Sequence, residues 1–582
     1  MKVVGLMKLR RKLLDHFFLP LFLMFGWNAC VMASTIALYD VFEVAVSSSK
    51  DYSNPFDYDE VTLNGKFESP DGKTYEVTGF YDGVIEQAKT WRLRFMPMVP
   101  GEWRYWIASL DETQETSGTF IVSDRPQEEG NHGHISVDEE NPGYLTHDDG
   151  SPHYWVGGKW ISARDYGPRQ KEGEMNAGVD PSKVKFGWKS DEQLIQYLEL
   201  LKQYKHNGVL IKIGLYPLEK DAISWDLEWI QRGEWLVKEA LKRGIYVQVN
   251  IFDTWSKHKD SWFQNNMDGT GQPFNVWVDG DDHKKQNYIR TIVSRFAAFP
   301  NVYWELGNEM EHSPNCGECF VELSNEKYIP WIRDADPYDL PIGLSEEIWR
   351  NANVDIGFLH QANVLEHDSW SKPVIMNELV RYDRPPSLML DLYNKLPWTI
   401  RNAYKKHFGA ITHRGLWQDG AINDPDLRFT YRRAFWNMFV RGGNGASEAT
   451  WLYIDDQYSD AVHHVMRDHM HLASIVEKYS NILNKMRYMN DAVVLKDAEV
   501  TTRGIAGEVY IAYFDVGYGR HHGSGDVFMT LPKGSYSGAW YNTTSGVADE
   551  FDIDADGGKV VLKAPLFKED IVLIVNRKSN RS

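Results

Sequence analysis

Between residues 154 and 455 short apolar runs alternate with helix-length amphipathic stretches, and this alternation constrains the fold more than any other feature of the chain. The runs are YWVGGKW, GVLIKIGLYP, GIYVQVNIFD, NVYWELGNEM, PIGLSEE, NVDIGFLHQ, KPVIMNELV and ASEATWLYID; helices are expected near 190–205, 227–242, 284–298, 321–335, 387–407, 429–440 and 465–487. Strands that are apolar on both faces need cover on both sides, which the helices of a β/α repeat supply, so the sheet is expected to be parallel. Eight such runs predict a (β/α)8 TIM barrel. The alternative is an open doubly wound sheet, which wants a glycine-rich phosphate loop after its first strand, and none is present.

The flanks read differently. Residues 36–124 hold short alternating segments punctuated by turns such as PDG and VPGEW, which predicts an antiparallel β-sandwich. The polar stretch SDRPQEEGNHGH marks a boundary, and from residue 493 short alternating strands return as a second, C-terminal β-sandwich. At the N-terminus Lys8, Arg10, Arg11 and Lys12 precede FFLPLFLMFGW and the small residues Val31 and Ala33, the pattern of a secretory leader cut after Ala33. The expected order is therefore a leader (1–33), an N-terminal sandwich (36–124), a catalytic barrel (130–490) and a C-terminal sandwich (493–582), in a secreted or periplasmic protein. The apolar run is too short to span a bilayer, so the mature chain is expected to have no membrane span. Cys30 could mark a lipoprotein, but Trp27 and Asn28 suit that cleavage poorly. Cleavage leaves Cys316 and Cys319, which two-ligand arithmetic excludes as a zinc site and which are expected to form a loop disulfide. The net charge of -19 argues against broad nucleic-acid binding, and 22 Trp supply flat apolar faces that suit sugar rings as well as cores.

In such a barrel the active site lies at the C-terminal ends of the strands. The residues there are Lys159, Trp160, Tyr216, Asp253, Trp255, Asn308, Glu309, Ser345, Glu346, Glu347, His360, Asn377, Glu378 and Trp451. Two of the carboxylates, Glu309 and Glu378, each follow an Asn. Glycoside hydrolysis needs one carboxylic acid to protonate the leaving oxygen and one carboxylate on the other face of the sugar, with no metal or cofactor. His312, in the loop EHSPNCGECF, and the stacking candidate Trp417 join the substrate-binding set. The charged stretch SARDYGPRQKEGE reads as a solvated loop or as a contact for an anionic sugar. Glu448 is a rival second carboxylate that is expected to fall early in the last strand.

WELGNEM and PVIMNELV resemble the fourth and seventh strands of the retaining glycoside hydrolases of clan A. NPF, GFYDG, RLRFMPMVPGEWRY and GTFIV, followed by HGHISV and LTHDDGSPHYWVG, resemble the domain of unknown function that precedes many bacterial glycosidase barrels. The resemblance implies Glu309 as acid/base, Glu378 as nucleophile and Asn308 as donor to the sugar 2-hydroxyl. It also implies an Arg on strand two; this chain has Lys212 instead. Lys212 and Glu305 both lie four positions below their strand ends, which predicts an ion pair inside the barrel, the alternative being that each turns outward to a helix. The function expected is retaining hydrolysis of a polysaccharide or derived oligosaccharide. The competing classes are a carbohydrate-binding or adhesive protein on an inactive barrel and a polysaccharide lyase, for which no neutraliser and base pair is apparent.

Overall fold

The computed structural model describes residues 34–110, 115–157, 164–165, 187–188, 190–212, 227–253, 280–308, 310, 316, 319–345, 347–359, 371–379, 425–448, 460–489, 491–516 and 522–578. The N-terminal part is β-rich, as expected. A five-stranded and a three-stranded sheet enclose one aromatic core, in which Phe42 stacks on Phe120 (4.4 Å) and Phe67 on Phe95 (4.1 Å). Strand Gly101–Ala108 shows why: Trp103, Tyr105 and Ile107 are buried, while Glu102 and Arg104 are exposed on the other face.

The central sheet is parallel and seven-stranded, and its spatial order follows the sequence. Its strands are β1 (Gly208–Lys212), β2 (Tyr246–Asp253), β3 (Val302–Asn308), β4 (Ile342–Ser345), β5 (Ile356–Phe358), β6 (Val374–Leu379) and β7 (Asn444–Glu448). The helices between and around them are α1 (Asp191–Gln203), α2 (Leu227–Leu241), α3 (Asp282–Phe296), α4 (Cys319–Leu323), α5 (Ile329–Ala335), α6 (Pro425–Val440) and α7 (Asp460–Lys478). A π-turn, Ser324–Tyr328, joins α4 to α5. Helix α1 starts at a capping box, since the Ser190 side chain accepts from the Gln193 backbone and the Gln193 side chain accepts in return. Its buried residues Leu194, Tyr197, Leu198 and Leu201 recur at helical spacing and enter the main core with Val247, Val249, Ile251 and Trp304 of the strands.

Among the described residues the first expected strand makes one bridge, and its last part, 158–160, lies outside them. Gly157 pairs in parallel with Gly208, and the Asn207 amide donates to the Val156 carbonyl (2.8 Å). On the other side the Trp155 amide donates to Asn444 Oδ1 at 3.4 Å, and a Cβ at Gly445 would lie 1.9 Å from the Trp155 carbonyl oxygen. Residues 155–157 thus lie between β1 and β7, the two edges of a curled sheet. The last strand begins at Asn444, two residues before the expected run, and Glu448 is level with Leu379 of β6; residues 449–455 of that run lie outside the described residues. The helix expected near 387–407 lies outside the described residues, as does the leader. None of the described helices is long and apolar enough to cross a membrane.

Beyond α7, a six-stranded and a three-stranded antiparallel sheet cover residues 487–577 and share a core with Phe514, Trp540 and Leu573. Both flanking units are joined to the helices around the sheet by buried arginines. Arg295 on α3 donates to Glu234 on α2 (2.6 Å) and to Asp82 (2.6 Å) and the Tyr81 carbonyl (2.9 Å) of the N-terminal region. Arg94 donates to Glu43 (2.6 Å) and to the Arg295 carbonyl (2.8 Å). At the other end Arg432 on α6 meets Asp468 on α7 and Asp570 and Glu569 of the last domain.

Arg295→Met would leave Glu234 and Asp82 buried without their shared cation. Removing one member of such a network costs about 3–5 kcal/mol, and a clearly lower unfolding midpoint in denaturant is the expected outcome.

Beneath the sheet, His147 Nε2 lies 3.0 Å from His153 Nδ1, both rings beside Tyr246, and His134 Nε2 meets the Ala297 carbonyl at 2.9 Å. Burial holds His134 and His147 down at about 4 and His153 well below its usual value. The unfolded chain takes up these protons near 6.5 and the folded chain does not, so stability falls as pH drops from about 6.5 to about 4. Asp40 and Asp148, raised to about 6 by burial, act in the opposite direction, with two groups against the three histidines and His469. Calorimetry is expected to show a lower melting temperature at pH 4.5 than at pH 7.

Candidate active site

All seven strands run the same way, so their C-terminal ends share one edge. Asp253 and Asn308 are level at that edge, the ends of β2 and β3. Ser345 ends β4, and its hydroxyl donates to the Gly307 carbonyl (3.2 Å). Asn377, Glu378 and Leu379 end β6, and Glu448 ends β7. The sequence-predicted strand ends that can be placed therefore come together along one rim.

Glu309 directly follows buried Asn308, and Glu309 itself lies outside the described residues. So do Lys159, Trp160, Tyr216, Trp255, His312, Glu346, His360, Trp417 and Trp451, and for Lys212, Asp253, Glu347, Glu378 and Glu448 only the backbone is described. Cys316 and Cys319 are bonded, as expected, at the start of α4.

Below the rim the sheet interior is layered. The lower layer is aromatic and aliphatic: Trp155, Tyr246, Tyr303, Ile356, Phe358 and Ile375 form one buried cluster. Its tight points are glycines; a Cβ at Gly208 would lie 1.9 Å from the Trp155 ring, and one at Gly343 would lie 2.1 Å from the Phe358 ring. Above it comes a polar layer of Gln248, Asn250, Glu305 and Asn377, each no more than 4% exposed. Tyr303 links the two layers by donating to Gln248 Oε1 (3.3 Å). Burial, and then the negative charge of Glu305, push the Tyr303 hydroxyl far above its usual range, so it stays protonated.

Glu305 is fully buried and sits at the centre of the polar layer. Asn250 Nδ2 donates to its Oε2 at 2.7 Å, and Asn377 Nδ2 reaches its Oε1 at 3.5 Å. The register runs Lys212, Asn250, Glu305 across β1, β2 and β3, so the expected Lys212 and Glu305 do share a level, with Asn250 between them. The Lys212 side chain of the expected ion pair lies outside the described ones, and the donor to the carboxylate from the adjacent strand is the Asn250 amide. The signal was present in YVQVNIFD: Tyr246, Gln248 and Asn250 alternate with Val247, Val249 and Ile251, which places a polar side on a strand whose other side meets helices.

Asn377 and Glu378 are consecutive, and regular pleating would turn them to opposite faces. The β6–β7 ladder loses its regular register between Ile375 and Met376 and again between Met376 and Leu379. Such irregularities re-aim side chains at the rims of barrels and beside active sites. The edge thus combines strand-end carboxylate positions with a buried polar floor.

Residues 35–110 match the family described as "Domain of unknown function (DUF5060)", and residues 171–366 match "Cellulase (glycosyl hydrolase family 5)". A solved structure from Bacteroides vulgatus ATCC 8482, which its own description assigns to the glycoside hydrolases, superposes with a TM-score of 0.61 at 16% identity, covering 94% of this chain and 100% of its own. That likeness is one of fold. A 126-residue stretch is 26% identical to "Probable mannan endo-1,4-beta-mannosidase A" of Aspergillus clavatus, covering 21% of this chain. The chain spans about a third (33%) of that relative's length.

Proposed function

We propose that the glycosyl hydrolase family 5 domain carried by this chain, behind its DUF5060 domain, works as an exported retaining glycosidase on a polysaccharide or its oligosaccharides. The observation that carries the reading is the common rim: Asn308, with Glu309 next in sequence, and Asn377 with Glu378 end strands of one parallel sheet. Segment 155–157, lying between β1 and β7, supports a closed (β/α)8 barrel in which those strands are the fourth and seventh. The two antiparallel sheets at the C-terminus fit a second sandwich, and the basic, then apolar, first 33 residues fit an export leader.

The chemistry follows from the two carboxylates. Glu378, ionised, attacks the anomeric carbon while Glu309 gives its proton to the departing oxygen, which forms a glycosyl ester and frees the aglycone. Glu309, now a carboxylate, takes a proton from water as that water attacks the same carbon, and Glu378 leaves with its charge restored. Asn308, level with Asp253 at the rim, donates in this reading to a sugar hydroxyl beside the reacting carbon. The stretch shared with a mannan-cleaving enzyme makes β-1,4-mannan the first substrate to try.

Release assays over a panel of polysaccharides, with wild type beside Glu309→Gln and Glu378→Gln, test the reading. Loss of the proton donor is expected to slow turnover by about 10²–10⁴-fold, and Glu378→Gln is expected to abolish it, each at an unchanged melting temperature. Wild-type rates in both variants would point to a different site, and no release from any polysaccharide by wild type would support the non-catalytic alternative.

A further inference from the structure

Glu305 belongs to neither step of the proposed chemistry, yet it is the one carboxylate described inside the sheet with zero exposure. A buried carboxylate is costly unless donors surround it. Two of those donors are known: Asn250 from β2 at 2.7 Å and Asn377 from β6 at 3.5 Å. They approach from different sides of the sheet interior, one from the neighbouring strand and one from three strands away.

An ionised carboxylate is acceptor-only, so each amide that meets it must present its NH2 and turn its carbonyl away. Both carbonyls are indeed left over. Asn250 Oδ1 and Asn377 Oδ1 are buried and have no hydrogen-bond partner among the described residues. The charge of Glu305 thereby removes the rotational ambiguity of an asparagine amide, whose two ends are otherwise nearly the same shape. For Asn377 this matters, because it is bonded through the backbone to Glu378 and lies where the β6 ladder loses its register.

We propose that Glu305 is a positioning residue: it clamps the Asn377 amide with the carbonyl turned away from the carboxylate, which fixes the end of β6 and leaves Asn377 Oδ1 as a buried acceptor for a sugar hydroxyl. The proposal rests on the glycosidase reading above and adds to it a third acid that never touches substrate. A neutral Gln at position 305 can donate as well as accept, so Asn377 is free to flip and the end of β6 is no longer held in one arrangement. Displacements near 1 Å at a reacting group cost up to about 10²-fold in rate.

The test is a double-mutant cycle on the purified full chain, with Glu305→Gln, Asn377→Ala and the pair, read as kcat and KM on a cleaved substrate together with the melting temperature. Glu305→Gln is expected to lower kcat by about 10- to 100-fold with KM changed less than kcat, and to have almost no effect in the Asn377→Ala background. A purely structural Glu305 would instead lower the melting temperature and add its loss to that of Asn377→Ala. Wild-type kcat in Glu305→Gln, or additive losses, would overturn the proposal. Should Glu305→Gln not fold, Asn377→Ala decides alone, since it leaves the Asn250 bond in place: unchanged kcat there also overturns the clamp. Glu309→Gln and Glu378→Gln run in parallel separate the two failures, because retained activity in them refutes the glycosidase reading itself.

Discussion

A strand buried on both faces that also carries a carboxylate must supply that carboxylate with donors, and the centre of this protein is organised around that requirement. All seven residues of β3 are buried. Its outward residues pack into the helix-side core, where Trp304 donates to Asp336 at 2.9 Å, while Tyr303 and Glu305 face the interior. The donors to Glu305 come from two other strands, so the charge ties β2, β3 and β6 together directly below the rim. The aromatic layer beneath is seated on glycines too close for any side chain. Geometry at the rim is thus inherited from satisfaction of a charge one layer down.

The outer domains are attached by the same logic at larger scale. Arg295 and Arg432, each almost completely buried, take acceptors from elements far apart in sequence, so separating either flank from the helices would strand charges in a low-dielectric interface. Neither contact reaches the rim. They fix the helices behind β1, β2 and β7, and so the strands those helices cover.

Much of this was legible in the chain. Helix and strand periods gave seven of the eight central strands and most helices, because burial on one face or two imprints itself locally on sequence. What a local pattern does not carry is non-local. The run from Tyr154 makes one bridge among its described residues, which stop at Gly157. Glu448 is level with Leu379 of β6, a register that the sequence around it does not display, and the residues that follow it lie outside the described ones. The Lys212 side chain expected to face Glu305 lies outside the described ones; the donor on the adjacent strand, Asn250, is uncharged and is set beside Glu305 by a register that no local pattern displays. Asn377 was seen as the neighbour of a catalytic acid, and its bond to Glu305, 72 positions away, has no local signature.

The central claim is that two strand-end carboxylates act in succession on one anomeric carbon, with Glu378 forming the covalent bond. The most direct measurement is to follow a cleaved β-linked oligosaccharide by proton NMR from the first seconds of reaction, while a 2-fluoro glycoside of the same sugar is used to trap the intermediate for peptide mass mapping. The account predicts a first product that keeps the β configuration and a label on Glu378. An α-configured first product, or a label on another residue such as Glu448, would contradict it.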